Sequence, residues 1–151
     1  MAVFQALVPP FNELLGFVVD EWEQGHTRIS VDVKPEHGNS HGLPHGGFLC
    51  SLLDVATALP GIYCPHPDRI RRALTLSLNT SFVGQASSRQ LYAIGKITST
   101  GYKIFHSSAE VFDSNDQLLA TGHAILKYRK GSESVDGMAI EDWHKLVEQP
   151  S

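Results

Sequence analysis

The sequence predicts an α+β domain in which one curved antiparallel sheet wraps around a single buried helix. Three observations carry that expectation. Gly47 to Leu59 (GFLCSLLDVATAL) is apolar on nearly every face, which marks a helix enclosed on nearly every face. From Ala73 onward the apolar residues recur with period two over four segments, the signature of half-buried strands. The connections between those segments are short and rich in turn formers, so neighbouring strands are expected to run antiparallel as a meander.

The elements follow in chain order. Pro9 and Pro10 precede a short helix over about residues 9–16, with Gly16 at its C-terminal cap. Phe17 to Val33 reads as two strands turning at Gln24-Gly25, because Ile29, Val31 and Val33 alternate with Ser30 and Asp32. Pro35 to Pro44 is loop by composition. The apolar helix comes next and stops at Pro60-Gly61. Strands are expected at Ala73–Val83, Leu91–Ile97, Lys103–Phe112 and Leu118–Tyr128. Gly131 to Gly137 reads as a linker, and Ala139 to Glu148 as a short amphipathic helix within a tail over about 131–151. A sheet of this kind leaves an edge strand and one face to cover, which a second copy of the chain can do.

Bulk properties narrow the function. A length of 151 residues suits a single domain, 1–151. With 42% hydrophobic and 19% charged residues, the chain has enough apolar material for a packed core. A formal net charge of -4 argues against a nucleic-acid partner. No run approaches the roughly 20 apolar residues of a membrane helix, so no membrane partner is expected. MAVFQALVPP lacks a basic start and a long apolar run, so no signal peptide is expected. Cys50 and Cys64, with no paired-cysteine pattern, fit reduced thiols in a cytoplasmic protein.

Two features carry chemistry. His45-Gly46-Gly47 opens the apolar helix, where backbone N–H groups lack intrahelical partners and glycine lets a ligand approach. Such a site can hold an oxyanion, although the glycines would equally serve loop-to-helix geometry. Asp54 sits among Leu52, Leu53, Val55 and Ala56, where an unpaired carboxylate is costly. It either lies at a cleft or shares a solvated face with Ser51 and Thr57. Nine residues separate His45 from Asp54, about 13 Å along a helix. One carbonyl cannot touch both ends of that span. If both act on one group, Asp54 and the helix entrance come from different subunits, with their helices antiparallel.

Asn39, five residues, His45-Gly46-Gly47, six residues and Asp54 together resemble the signature of the PaaI-type acyl-CoA thioesterases of hotdog fold, relatives of the 4-hydroxybenzoyl-CoA thioesterases. The resemblance spans about Phe17 to Tyr128. It implies that Asn39 and the Gly46 amide bind the thioester carbonyl, that His45 belongs to the catalytic set, stabilising the loop or contacting the substrate, and that Gly47 faces the substrate. It implies Asp54 as general base or nucleophile and Thr75 as its assistant. Thr75 lies four residues before Asn79 in TLSLNTSF, which is similar to the family's N-x-x-[FY] strand. Val83-Gly84-Gln85 departs from the family's proline-containing turn, so different coenzyme-A contacts are expected near it, and Pro60 to Arg71 is atypical, so the acyl pocket is expected to be reshaped.

The implied substrate is an acyl-CoA and no cofactor is needed, coenzyme A being part of the substrate. The implied assembly is a homodimer with active sites at its interface, either alone or stacked as a tetramer. Arg69, Arg71, Arg72 and Arg89, or Lys127 and Arg129, can meet coenzyme A phosphates through charge-assisted hydrogen bonds. The same cations also fit a solvated surface. His37, His41 and His45 recur every four residues, but Gly38, Gly42 and Pro44 oppose a helix there, so no metal site is expected. Ser51 lacks a nucleophile-elbow motif and Cys50 lacks an activator. The rival reading is a non-catalytic acyl-CoA or acyl-chain binding module of the same fold.

Overall fold

The computed structural model describes residues 8–148. The first seven residues, which include most of the stretch read as no signal peptide, and the last three lie outside the described residues. Among the described residues no helix is long and apolar enough to cross a membrane.

Helix α1 (Pro10–Leu15) begins on a proline and ends at Gly16, whose φ of 76° is the left-handed conformation that glycine adopts freely. Strands β1 (Val18–Glu23) and β2 (His26–Asp32) form the expected hairpin, with Gly25 at φ 81° in the turn. The central helix α2 spans Gly46–Ala58, one residue earlier at each end than its sequence pattern suggested. A two-residue β3 (Arg69–Ile70) follows, then β4 (Ala73–Phe82), β5 (Gln90–Thr100), β6 (Ile104–Asp113) and β7 (Leu118–Tyr128). The chain closes with β8 (Met138–Ala139) and α3 (Ile140–Val147).

The main sheet has six strands in the order β1-β2-β5-β6-β7-β4. β5, β6 and β7 form the expected meander, but β4 does not join it through β5. It pairs with β7, from Ala73 opposite Tyr128 to Phe82 opposite Ala120. β2 already occupies the free edge of β5. α2 crosses the concave face and delivers the chain to the far side of the sheet, so β4 lands beside β7.

The helix sits close to the sheet because the two surfaces divide the bulk between them. α2 contributes Phe48, Leu49, Leu52 and Leu53, all buried. The facing strands contribute small residues: Ala93, Gly95, Ala109, Ala120 and Gly122. A Cβ on Gly95 would collide with the Ala56 carbonyl oxygen, so only glycine permits this approach. Leu52 and Leu53 are fully enclosed, and burying each contributes about 1.5–3 kcal/mol.

The two sheet edges differ. β1 carries Asp20, Glu21 and Glu23 and a register shift between Val19 and Glu21, features that discourage further strand pairing. β4 reads ALTLSLNTSF, without charge, and leaves Leu74 and Leu76 about half exposed at 46% and 52%. An uncharged ten-residue edge strand is a template for another strand.

At the opposite end, Asp113 fixes the connection between β4 and β5. Its carboxylate accepts from the amide and hydroxyl of Ser87 at 2.8 and 2.7 Å, and from the amides of Asn115 and Gln117 at 2.9 and 3.1 Å. The Ser87 bonds, first the amide and then the hydroxyl, pull its pKa down to about 2. A depressed carboxylate contributes stability that is complete above its unfolded value, near 4, and lost as pH falls from there towards 2. Thermal melts between pH 7 and pH 2 should therefore show a loss of Tm across that window. Asp113→Asn should melt lower at pH 7 and show a shallower acid dependence. Parallel acid profiles for the two proteins would remove this role for Asp113.

Candidate active site

The helix entrance is built from a closed loop. Gly38 bridges Pro44, and the Asn39 amide donates to the Leu43 carbonyl at 2.7 Å. Asn39 Oδ1 accepts from the amides of His41 and Leu43 at 2.9 and 3.1 Å, which fixes the side chain and leaves its Nδ2 donors without a partner among the described residues. His45 is the N-cap of α2, with Nδ1 accepting from the Gly47 amide at 2.9 Å. An accepting Nδ1 puts the proton of a neutral ring on Nε2. The Gly47 amide, expected to face substrate, is therefore committed to the cap. The Gly46 amide has no acceptor among the described residues. Phe82 lies over Gly46, its ring edge 3.4 Å from where a Cβ would stand.

The other two histidines have separate surroundings. His37 is buried, stacks on Phe48 with ring centroids 4.3 Å apart, and accepts the Lys34 amide on Nδ1. His41 is exposed on the loop.

Along α2 the three polar side chains divide. Ser51 donates to the Gly47 carbonyl at 2.9 Å, and Thr57 to the Asp54 carbonyl at 3.0 Å, so both are satisfied by their own helix. Asp54 looks outward to β4. Thr75 Oγ1 donates to Asp54 Oδ1 at 2.8 Å. Asp54 Oδ2 has no partner among the described residues and the side chain lines a cavity of about 610 Å³. Asp54 and Thr75 are thus brought together, whereas Gly46 and Asn39 lie at the other end of the helix. From Gly46 to Asp54 the axis rises about 12 Å.

α2 and β4 run side by side in opposite directions. Gly46 is level with Phe82, Cys50 with Thr80 (Sγ to Oγ1 3.6 Å), and Asp54 with Thr75. This pairing sets the geometry of any assembly made through the β4 edge.

The arginines expected to meet phosphates occupy different roles. Arg69 donates to the carbonyls of Asp136 and Gly137 at 2.6 and 2.8 Å. Arg71 is buried, donates to the carbonyls of Ser132 and Glu133 at 3.1 and 3.2 Å, and lies 4.2 Å from the Tyr128 ring centre. The Arg72 amide donates to Ser132 Oγ at 3.0 Å, its guanidinium reaches Met138, and its Nε is buried without a partner among the described residues. Burial, and then Arg129 beside it, lowers its pKa. The three hold the C-terminal segment in place, so the stretch read as a linker is an anchored wall. Arg89 is exposed and its guanidinium has no partner among the described residues.

Sequence reasoning missed the cavity itself. Trp22, Ile62, Tyr63 and Trp143 line it with Asp54. Trp22 donates to the Leu59 carbonyl at 2.7 Å and meets Tyr63 edge-on, with ring centroids 5.5 Å apart. The available signals were the proline-rich interruption after α2 and the one-sided apolar stripe of α3.

A buried helix under a curved antiparallel sheet, with a carboxylate at the helix flank beside a cavity, defines a hotdog-fold protein. The pattern of the thioesterase superfamily matches residues 41–120, just over half of the chain, and the chain belongs to that superfamily. A candidate esterase from Archaeoglobus fulgidus is 29% identical over 109 residues, 72% of this chain and 68% of that protein. The fold is shared with the PaaI protein of the phenylacetic acid degradation operon of E. coli, at TM-score 0.76 and 18% identity, covering 87% of this chain and 92% of that one. A thioesterase family protein from Silicibacter pomeroyi matches at TM-score 0.74 and 18% identity, covering 83% and 94%.

Proposed function

We propose that the protein hydrolyses an acyl-CoA thioester to the free acid and coenzyme A, as a homodimer whose two sites lie at the interface. The observation that carries this reading is the Thr75–Asp54 pair at the wall of a cavity, with Asp54 Oδ2 open to it. Thr75 spends its proton on Asp54, so its oxygen lone pairs are available to hold a water. Asp54 Oδ2 takes a proton as that water attacks the carbonyl carbon. The carbonyl oxygen becomes an oxyanion, held by the Gly46 amide with Asn39 Nδ2 beside it. The C–S bond then breaks and the thiolate leaves with the proton from Asp54. In the nucleophilic variant Asp54 attacks first and water opens the anhydride.

The dimer supplies what one chain lacks. Adding a second β4 antiparallel about a two-fold axis near Leu78 and Asn79 sets Thr75 of one copy level with Phe82 of the other. Because Thr75 marks Asp54 and Phe82 marks Gly46, the same operation brings each carboxylate to the other copy's helix entrance. Of the four arginines Arg69, Arg71, Arg72 and Arg89, Arg89 keeps its guanidinium free among the described residues to meet coenzyme A phosphates, with exposed Arg129 as the other candidate.

A free-thiol assay over acetyl, medium-chain, long-chain and aromatic acyl-CoAs tests the reading. Release of coenzyme A from at least one is expected. Tight binding without release from any of them would make the protein a binding module.

A further inference from the structure

The cavity beside Asp54 is walled in part by chain beyond the family-matched region 41–120. Trp143 of α3 forms the part that follows that region, and it is not loosely placed. β8 pairs with β3, with Arg69 opposite Ala139 and Ile70 opposite Met138. The Ile140 amide donates to the Asp68 carbonyl at 3.1 Å, and the arginine anchors hold the segment before it. The C-terminal segment is therefore a fixed wall facing Trp22, Val55, Ile62 and Tyr63 across the space next to the carboxylate.

Size and chemistry together select an occupant. A volume of about 610 Å³ lies within the roughly 300–1,000 Å³ of small-molecule sites. A two-carbon acyl group would leave most of it empty, and apolar walls without partner atoms lose their dispersion contacts. Arg69, Arg71 and Arg72 also border the space, but Arg69 and Arg71 each commit two guanidinium donors to carbonyls of the C-terminal segment, and Arg72 turns to Met138 on the same segment. Resting on the thioesterase reading, we infer that this cavity holds the acyl group of the substrate, that the group is apolar with about six or more carbons, and that Trp143 on the C-terminal segment is the wall that sets its size. The thioester carbonyl stops at Asp54 and the acyl tail runs inward towards Trp143.

The test compares acetyl-, hexanoyl-, decanoyl- and phenylacetyl-CoA on the full chain, with Ile62→Phe to fill the cavity and Trp143→Ala to open it. The wild type should favour the larger acyl groups over acetyl by at least about tenfold in kcat/KM. Ile62→Phe should lower the decanoyl-to-acetyl ratio about tenfold, and Trp143→Ala should shift the optimum to longer chains. The hexanoyl, decanoyl and phenylacetyl arms separate a linear from a ring-bearing acyl group. A second readout needs no turnover: Trp22 and Trp143 are the only two tryptophans, so their fluorescence should change saturably as decanoate is added to the wild type. Saturable decanoate binding with no thiol release from any ester would defeat the thioesterase reading and leave the pocket standing. Thiol release with an acyl preference that neither variant moves, and with flat fluorescence, would overturn the pocket alone. Ile62→Phe keeps the comparison decisive if Trp143→Ala fails to fold.

Discussion

Asp54→Asn should lower kcat on acyl-CoA by about two to four orders of magnitude, the range for loss of a positioned general base. KM should change little by comparison. The substitution is nearly isosteric, and an asparagine oxygen can still accept from Thr75, so the 2.8 Å contact survives. What disappears is the basicity of the second oxygen, which faces the cavity without a partner among the described residues. Binding relies on groups elsewhere, so the loss belongs to the transition state. Tm should hold or rise, because a half-buried carboxylate with an open oxygen carries a desolvation cost that the neutral amide lessens. In a single turnover of the wild type in labelled water, label in the Asp54 carboxylate marks a nucleophilic Asp54 whose anhydride is opened at the Asp54 carbon, whereas a general base, or opening at the acyl carbon, puts the label in the released acid. Turnover by Asp54→Asn close to that of the wild type would strip Asp54 of its role.

The elements of this fold were legible because each has its own period. α2 was visible as an unbroken apolar run, and β4 through β7 as alternation. Strand partners were not, because alternation specifies which side chains face the core and says nothing about which edge is free. β4 joins β7 rather than β5 for a reason outside its own residues: β2 already holds that edge of β5. Gly95 gave no local signal either, since its neighbour is the Ala56 carbonyl, distant in sequence.

The site divides along the same line. Asp54 stands out in the sequence as a charge where burial is costly, and the structure places it against Thr75, a contact between residues 21 apart that only the family resemblance suggested. The arginines were misleading. Charge alone suggests solvent or phosphate, but a planar guanidinium with several donors can equally satisfy main-chain carbonyls that a tail would otherwise leave unpaired. Arg71 does this while stacking on Tyr128. Which of these a cation does depends on what folds over it, and here the covering segment comes some 60 residues later.

Gly46→Pro should fold and yet lose about 10²–10³ in kcat, the effect of removing one oxyanion donor. Proline is tolerated at the first position of a helix, and the preceding His45 already has the extended conformation (φ -64°, ψ 140°) that a following proline demands. The ordinary 3.4 Å spacing to Phe82 leaves room for a Cβ. The substitution therefore removes one N–H, puts a ring methylene where the oxyanion would sit, and leaves the helix start intact. Its greater use is in combination. An Asp54→Asn chain and a Gly46→Pro chain are each inactive alone. If the carboxylate and the amide of one site come from different copies, a mixed dimer contains one site with both defects and one site with neither. Random reassociation makes about half of the dimers mixed, each with one good site of two, so about one quarter of wild-type activity should return on mixing. If both groups of a site came from one chain, every site in the mixture would carry a defect and mixing would restore nothing. Activity recovered by mixing thus reports the shared site directly, and its absence, with exchange of subunits verified, would return the oxyanion donor to some group within the Asp54 cavity of the same chain.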